Sequence, residues 1–118
     1  MRVLFLGMLL LAGAAQAADP LEAGRNAFKR CANCHQVGPG AHSNFGPQLN
    51  GIVGRRAGSV PDYAYSPAMR KAGFVWDEKR IAAFIDDPDA VVPGTRMRFW
   101  GLMSERQVRE LLAYLRAS

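Results

Sequence analysis

Cys31-Ala32-Asn33-Cys34-His35 places two thiols three positions apart and an imidazole directly after the second. That spacing attaches a c-type haem and ligates its iron. Near the end of a helix, each thiol reaches one vinyl group of a porphyrin while the next residue projects its ring at the metal. One short turn thus supplies both covalent attachment and an iron ligand.

A Cys-x-x-Cys pair also occurs as a thioredoxin-like redox disulfide or as half of a zinc site. The chain has no other cysteine, and its one further histidine is His42, so a zinc site lacks ligands. A thioredoxin-like domain needs a strand before the pair and βαβ patterning, and neither is present. His42 itself reads as a solvated loop residue.

Upstream, Met1-Arg2, the apolar run Val3 to Leu11 and the small residues Ala12 to Ala18 follow the order of a secretory signal with an Ala-x-Ala cleavage site. The strongly apolar run is shorter than the ~18–20 residues of a membrane span. The expected organisation is therefore a cleaved signal over residues 1–18 and one domain over 19–118, delivered to the periplasm without a stable membrane anchor. Loss of Arg2 leaves fourteen basic against ten acidic side chains, a net charge of +4. The basic residues are dispersed and there are eleven aromatics, which argues against nucleic acid and suits an acidic protein partner or an anionic surface. A domain of about one hundred residues has a marginal apolar core of its own, and a buried haem adds to it.

The rest of the chain reads as all-α. Asp19-Pro20-Leu21-Glu22 predicts a capped helix running to about Arg30, with Gly24 permitting close approach of another helix. Ser104-Glu105-Arg106-Gln107 opens a second amphipathic helix through Val108, Leu111, Leu112 and Leu115, and the two terminal helices are expected to cross. Ser66-Pro67 opens a shorter helix closed by Gly73; Asp77 opens another, carrying Ile81, Phe84 and Ile85, that Pro88 stops. From Gln36 to Tyr65 the chain is rich in Gly and Pro with neither helical nor strand periodicity. Such a loop is too long for a compact protein-only domain and is expected to wrap a flat cofactor.

His35 leaves one axial position of the iron to be filled by water, a gas or a second side chain. Met97, in Pro93-Gly94-Thr95-Arg96-Met97, is a candidate because the Pro-Gly turn can present its thioether across the porphyrin; Met69 and Met103 are its rivals, and the preference for Met97 rests chiefly on the resemblance described next.

These residues resemble class I cytochrome c, in particular its soluble bacterial and mitochondrial-type members, over essentially the whole of 19–118. The matching elements are Gly24 and Phe28, Cys31-Ala32-Asn33-Cys34-His35, Gly46-Pro47-Gln48-Leu49-Asn50-Gly51, Gly54-Arg55, Tyr65, Trp76, Pro93 to Met97, and Leu111 with Tyr114. The resemblance implies a small cytochrome c fold around one haem c, with Cys31 and Cys34 as thioethers and His35 and Met97 as the axial pair. It also implies that the Pro47 carbonyl accepts the His35 ring N–H. Arg55, Tyr65, Trp76 and Thr95 would hydrogen-bond the haem propionates, since a buried carboxylate is costly unless paired. Phe28, Leu49, Phe84, Phe99 and Leu111 would line or buttress the pocket.

Some positions depart from the family pattern. Phe84 replaces a frequent tyrosine, Met69 a frequent polar residue, and Trp100 is bulkier than usual near the haem edge. Asp89 and Ala90 stand where mitochondrial relatives carry lysines. The function implied is a monomeric one-electron carrier, not an enzyme, docking transiently with membrane or soluble redox proteins in a respiratory or photosynthetic chain. Lys29, Arg30, Arg70, Lys71, Arg96 and Arg98 are the residues expected to steer an acidic partner. The alternatives are a ligand-binding or peroxidatic haem protein in which Met97 leaves the iron, and a redox subunit dedicated to one periplasmic dehydrogenase.

Overall fold

The computed structural model describes Gly13 and residues 19–118; apart from Gly13, the segment read as a signal lies outside the described residues. The helices described are α1 Glu22–Phe28, α2 Pro67–Arg70, α3 Glu78–Asp86, α4 Pro88–Val91 and α5 Glu105–Arg116. No strand occurs among these residues, only one isolated antiparallel bridge between Arg56 and Val75.

α1 starts later than its sequence suggests. The Asp19 carboxylate accepts the Leu21 N–H at 2.9 Å and pairs with Arg25 at 2.9 Å, so it closes a local turn instead of capping the helix. Leu21 is the N-cap and has no side-chain cap. At its other end α1 loosens after Phe28 into successive turns, with Cys31 N–H to Phe28 O at 2.7 Å and His35 N–H to Cys31 O at 2.9 Å. These turns carry the two cysteines and His35 off the helix.

α5 follows its sequence closely. The Ser104 hydroxyl accepts the Gln107 N–H at 3.2 Å, the Gln107 side chain accepts the Ser104 N–H at 3.0 Å, and the box is complete. Its inward stripe buries Leu111, Leu112 and Leu115, each contributing roughly 1.5–3 kcal/mol of apolar transfer, with Leu111 fully removed from solvent. α1 crosses α5 at Gly24. A Cβ there would lie 2.6 Å from the Cβ of Tyr114 and closer still to the Glu110 carbonyl oxygen. One turn on, Phe28 and Tyr114 pack as a tilted pair at 5.7 Å.

α2 is capped as expected, by the Ser66 hydroxyl on the Met69 N–H at 3.1 Å, but ends at Arg70, three residues before Gly73. α3 is capped by Asp77 on the Arg80 N–H at 2.7 Å and turns Ile81, Phe84 and Ile85 inward. Pro88 stops it and also starts α4, a turn absent from the sequence expectation: Asp87 caps the Ala90 N–H at 3.3 Å and Pro88 occupies the first helical position. Arg116 of α5 reaches Glu78 of α3 at 2.6 Å.

The stretch from 36 to 65 contains no helix or strand and is held by individual hydrogen bonds. Asn50 brackets Gly38 through both its amide groups at 2.7 and 2.9 Å. Ser43 gives the Asp62 carboxylate both its hydroxyl, at 2.6 Å, and its N–H, at 3.0 Å. Further on, the segments around Arg55 and Trp76 exchange backbone bonds: Trp76 N–H to Arg55 O at 2.8 Å and Gly54 N–H to Trp76 O at 2.7 Å. This pairing aligns two residues of the expected propionate set.

Candidate haem site

Cys31, Cys34, His35, Pro47, Arg55, Tyr65, Trp76, Thr95 and Met97, dispersed over more than half of the chain, all line one cavity of about 470 Å³. α1's terminal turns bring the first three, the long loop brings the next three, and the strand-like pairing at Arg55 brings Trp76. The segment after α4 brings Thr95 and Met97. The remaining walls are apolar, among them Leu49, Ile81, Phe84, Phe99 and Leu111. Phe28 is outside the lining and buttresses α1 against Tyr114 instead. Met69 shares the cavity with Met97, whereas Met103 does not reach it.

The histidine is fixed from two sides. Nδ1 donates to the Pro47 carbonyl at 2.7 Å, which orients the ring and leaves Nε2 with its lone pair. Burial lowers its pKa, the Pro47 carbonyl opposes this, and the positive Arg55 lowers it again. The neutral imidazole, the form that ligates a metal, is therefore favoured at neutral pH. Gly46 supports the ring's other contact. A Cβ there would stand 2.7 Å from Nδ1 and 2.9 Å from Nε2, so a side chain at 46 would displace the imidazole. In the sequence Gly46 is one member of the run Gly46 to Gly51; its missing Cβ acquires a reason when the ring's position is known.

Burial pushes the Cys31 thiol up to about 11, with the neighbouring Cys34 adding to the effect and Arg30 opposing it. At neutral pH it is an S–H, while the neighbouring Cys34 is exposed.

Arg55 donates one terminal nitrogen to the carbonyls of Gln48, at 2.8 Å, and Asn50, at 3.0 Å. Its Nε is buried without any hydrogen-bond partner. Burial lowers its pKa, an effect only partly opposed by Tyr65. A half-buried guanidinium on the cavity wall whose Nε is buried without a partner is costly without an anion, and a carboxylate supplies what it lacks. The Tyr65 hydroxyl accepts the Val60 N–H at 3.1 Å and keeps its own proton for a second partner; Thr95 is buried, its hydroxyl accepting the Met97 N–H at 3.4 Å. Trp76 sits edge-on to Phe74 and Phe84 at 4.8 and 5.0 Å. An apolar slot with Cys31, Cys34, His35 and Met97 on its walls and an orphaned cation at its edge fits a porphyrin with acidic side chains.

Of the six basic residues expected to steer a partner, all are exposed, but only Arg30, Arg96 and Arg98 line the cavity. Among the described residues no group of three or more His, Cys, Asp and Glu is placed to hold a metal, and no helix is long and apolar enough to cross a membrane.

Comparison with known proteins agrees with this geometry. The family model for cytochrome c matches residues 21–118. The chain is 42% identical to a cytochrome c2 of Blastochloris viridis, covering 98% of this chain and 93% of that one. It is 44% identical to a cytochrome c2 of Rhodomicrobium vannielii, over 88% of this chain and 82% of the relative. Among solved structures, cytochrome cH from Methylobacterium extorquens superposes with a TM-score of 0.74 at 37% identity, covering 81% of this chain and 96% of that chain.

Proposed function

The chain belongs to the cytochrome c family, and from that premise we propose how its own residues hold the haem and pass the electron. The protein is an electron carrier, not an enzyme, with one covalently bound haem c and its iron, and it docks transiently with redox partners. In our reading Cys31 and Cys34 would form the two thioethers, and His35 and Met97 would ligate the iron. Arg55, Tyr65, Trp76 and Thr95 receive the propionates. The group supplies a metal that cycles by one electron.

The chain's contribution is to hold that metal still and dry. Pro47 and Gly46 fix the His35 ring, so the ligand does not reorient between oxidation states. Met97 offers a thioether, which favours the reduced iron and raises the potential. Apolar walls keep water from the metal, and Arg55 offsets the charge brought in by the propionates. The residues 1–18 direct export, and the domain 19–118 works in the periplasm as a soluble monomer with an acidic redox partner.

The observation that carries this reading is that all nine residues line the same apolar cavity, with the His35 ring already oriented by Pro47. An optical redox titration of the haem-loaded protein and of Met97→Ala tests it. The wild type is expected to give a single one-electron wave, about 59 mV per decade, and Met97→Ala a lower midpoint. Equal midpoints for the two proteins would remove Met97 from the iron.

A further inference from the structure

Between α4 and α5 the chain from 92 to 104 has neither helix nor strand, yet it carries Met97. Its root is fixed by burial, since Val92 and Thr95 are almost wholly removed from solvent and the Thr95 N–H bonds the Val92 carbonyl at 3.0 Å. Beyond that root no ladder holds the backbone, and its polar groups need side-chain or water partners instead. Asp89, in α4, supplies them at two places. Its Oδ1 accepts the Gly94 N–H at 3.3 Å, and its Oδ2 faces the Arg98 guanidinium at 3.7 Å. One carboxylate thus spans the chain from three residues before Met97 to one residue after it.

Arg98 passes the hold on. Its Nη1 donates to the Thr95 carbonyl at 2.9 Å and to the Met97 carbonyl at 3.4 Å, while the Thr95 hydroxyl accepts the Met97 N–H at 3.4 Å. Gly94, at a φ of +89°, turns the chain close against α2, where a Cβ would stand 3.3 Å from the Cβ of Ala68. Asp89 is itself held in place, because Asp87 caps the Ala90 N–H and Pro88 fixes the first turn of α4.

We infer that Asp89 is a positioning residue for Met97: its carboxylate staples Gly94 to Arg98 and so limits how often the thioether swings away from the sixth position of the iron. This rests on the proposed ligation by His35 and Met97 and deepens it. Asp89 does not line the haem cavity, so it acts through the backbone on either side of Met97 and not on the sulfur. Both of its contacts are long and both partners are exposed, so the staple is weak beside the fold as a whole and shows in the rate of a local opening. A lysine, the residue of mitochondrial relatives at this position, accepts nothing from Gly94 and repels Arg98. The staple therefore belongs to this chain's departure from that pattern.

Asp89→Ala, Asp89→Asn and Asp89→Lys test this with the oxidised, haem-loaded protein. Each is mixed with rising concentrations of neutral imidazole, whose approach the charge at 89 does not steer, and the visible spectrum is followed in time. At saturating imidazole the rate becomes that at which Met97 leaves. Arg116→Ala, which breaks an ion pair of comparable exposure between α5 and α3, is the control. Expected is a plateau rate raised about fivefold in Asp89→Ala, less in Asp89→Asn, which keeps an acceptor for the Gly94 N–H, and most in Asp89→Lys. Arg116→Ala keeps the wild-type rate. Equal plateau rates for wild type and Asp89→Ala overturn the proposal, as does an equal acceleration in Arg116→Ala, which would mean general loosening of the fold. If wild type binds imidazole as fast as Met97→Ala, with no plateau, the ligation reading fails first and the staple with it.

Discussion

The Pro47 carbonyl oxygen stands 2.7 Å from Nδ1 of His35. One hydrogen bond between two residues of different segments thus sets the tautomer, the ring plane and the basicity of the proposed ligand. It places the loop from 36 to 65 in the role of a ligand support, which explains why a segment without helix or strand is part of an ordered site.

Gly46→Ala tests that support. The new methyl would press on the His35 ring at Cε1 and at Nδ1, the nitrogen that the Pro47 carbonyl holds. A loss of about 1–3 kcal/mol in denaturant unfolding of the haem-loaded protein is expected, together with a changed midpoint potential. An unaltered potential would show that the ring does not move.

Gly24→Val examines the helix crossing separately from the site. Three added carbons would crowd Tyr114 and the Glu110 carbonyl, and backbone cannot swing aside as a side chain does. Destabilisation of at least about 1–3 kcal/mol is expected by chemical denaturation, with the midpoint potential of the folded fraction retained. Wild-type stability would mean that α1 and α5 are not in contact at this point.

Arg55→Gln removes a half-buried cation whose Nε lacks a partner. With the guanidinium gone, oxidised iron is less disfavoured and the midpoint should fall; a tenfold shift in the one-electron equilibrium corresponds to about 59 mV. Arg55→Lys should recover only part of it, because an ammonium does not reproduce the fork that holds Gln48, Asn50 and a carboxylate together. A midpoint that rises in Arg55→Gln would contradict the propionate assignment.

Asp62 gives a pH dependence of known sign. The Ser43 hydroxyl and N–H hold its carboxyl below the ordinary value of 3.8. Its folded pKa is depressed, so the associated stability is present above that ordinary value and is lost as pH falls through the folded value. Asp62→Asn should flatten the acid limb of the stability profile relative to wild type, followed by thermal unfolding between pH 5 and pH 2. Parallel limbs would show that the Ser43 contacts do not form in solution.

Much of this architecture was legible in the residues because the signals were local. The Ser104 box, the Asp77 and Ser66 caps, Gly24 and the Cys31-to-His35 spacing each specify geometry within a turn or two. The start of α1 was misjudged because an aspartate before a helix satisfies either the helix N–H groups or its own local turn, and only the position of Arg25 decides between them. α4 was hidden by reading Pro88 solely as a terminator, although Asp87-Pro88 is also a helix start. The orphaned Nε of Arg55 and the seat of Gly46 against His35 depend on how an aperiodic loop folds back on itself, and no pattern along the chain encodes them. Trp100 stood out as bulky, but that it points into solvent follows from the Gly101 turn over Asp86.

The most direct test of the account is whether Met97 occupies the sixth position of the iron. The dithionite-reduced, haem-loaded protein is scanned in the visible range before and after exposure to carbon monoxide. An unchanged spectrum is predicted, because in the proposed ligation His35 and Met97 together would leave the iron no free site. Ready conversion to a carbonyl form would contradict the account, expose the metal to ligands, and move the protein from electron carriage towards ligand binding or peroxide chemistry.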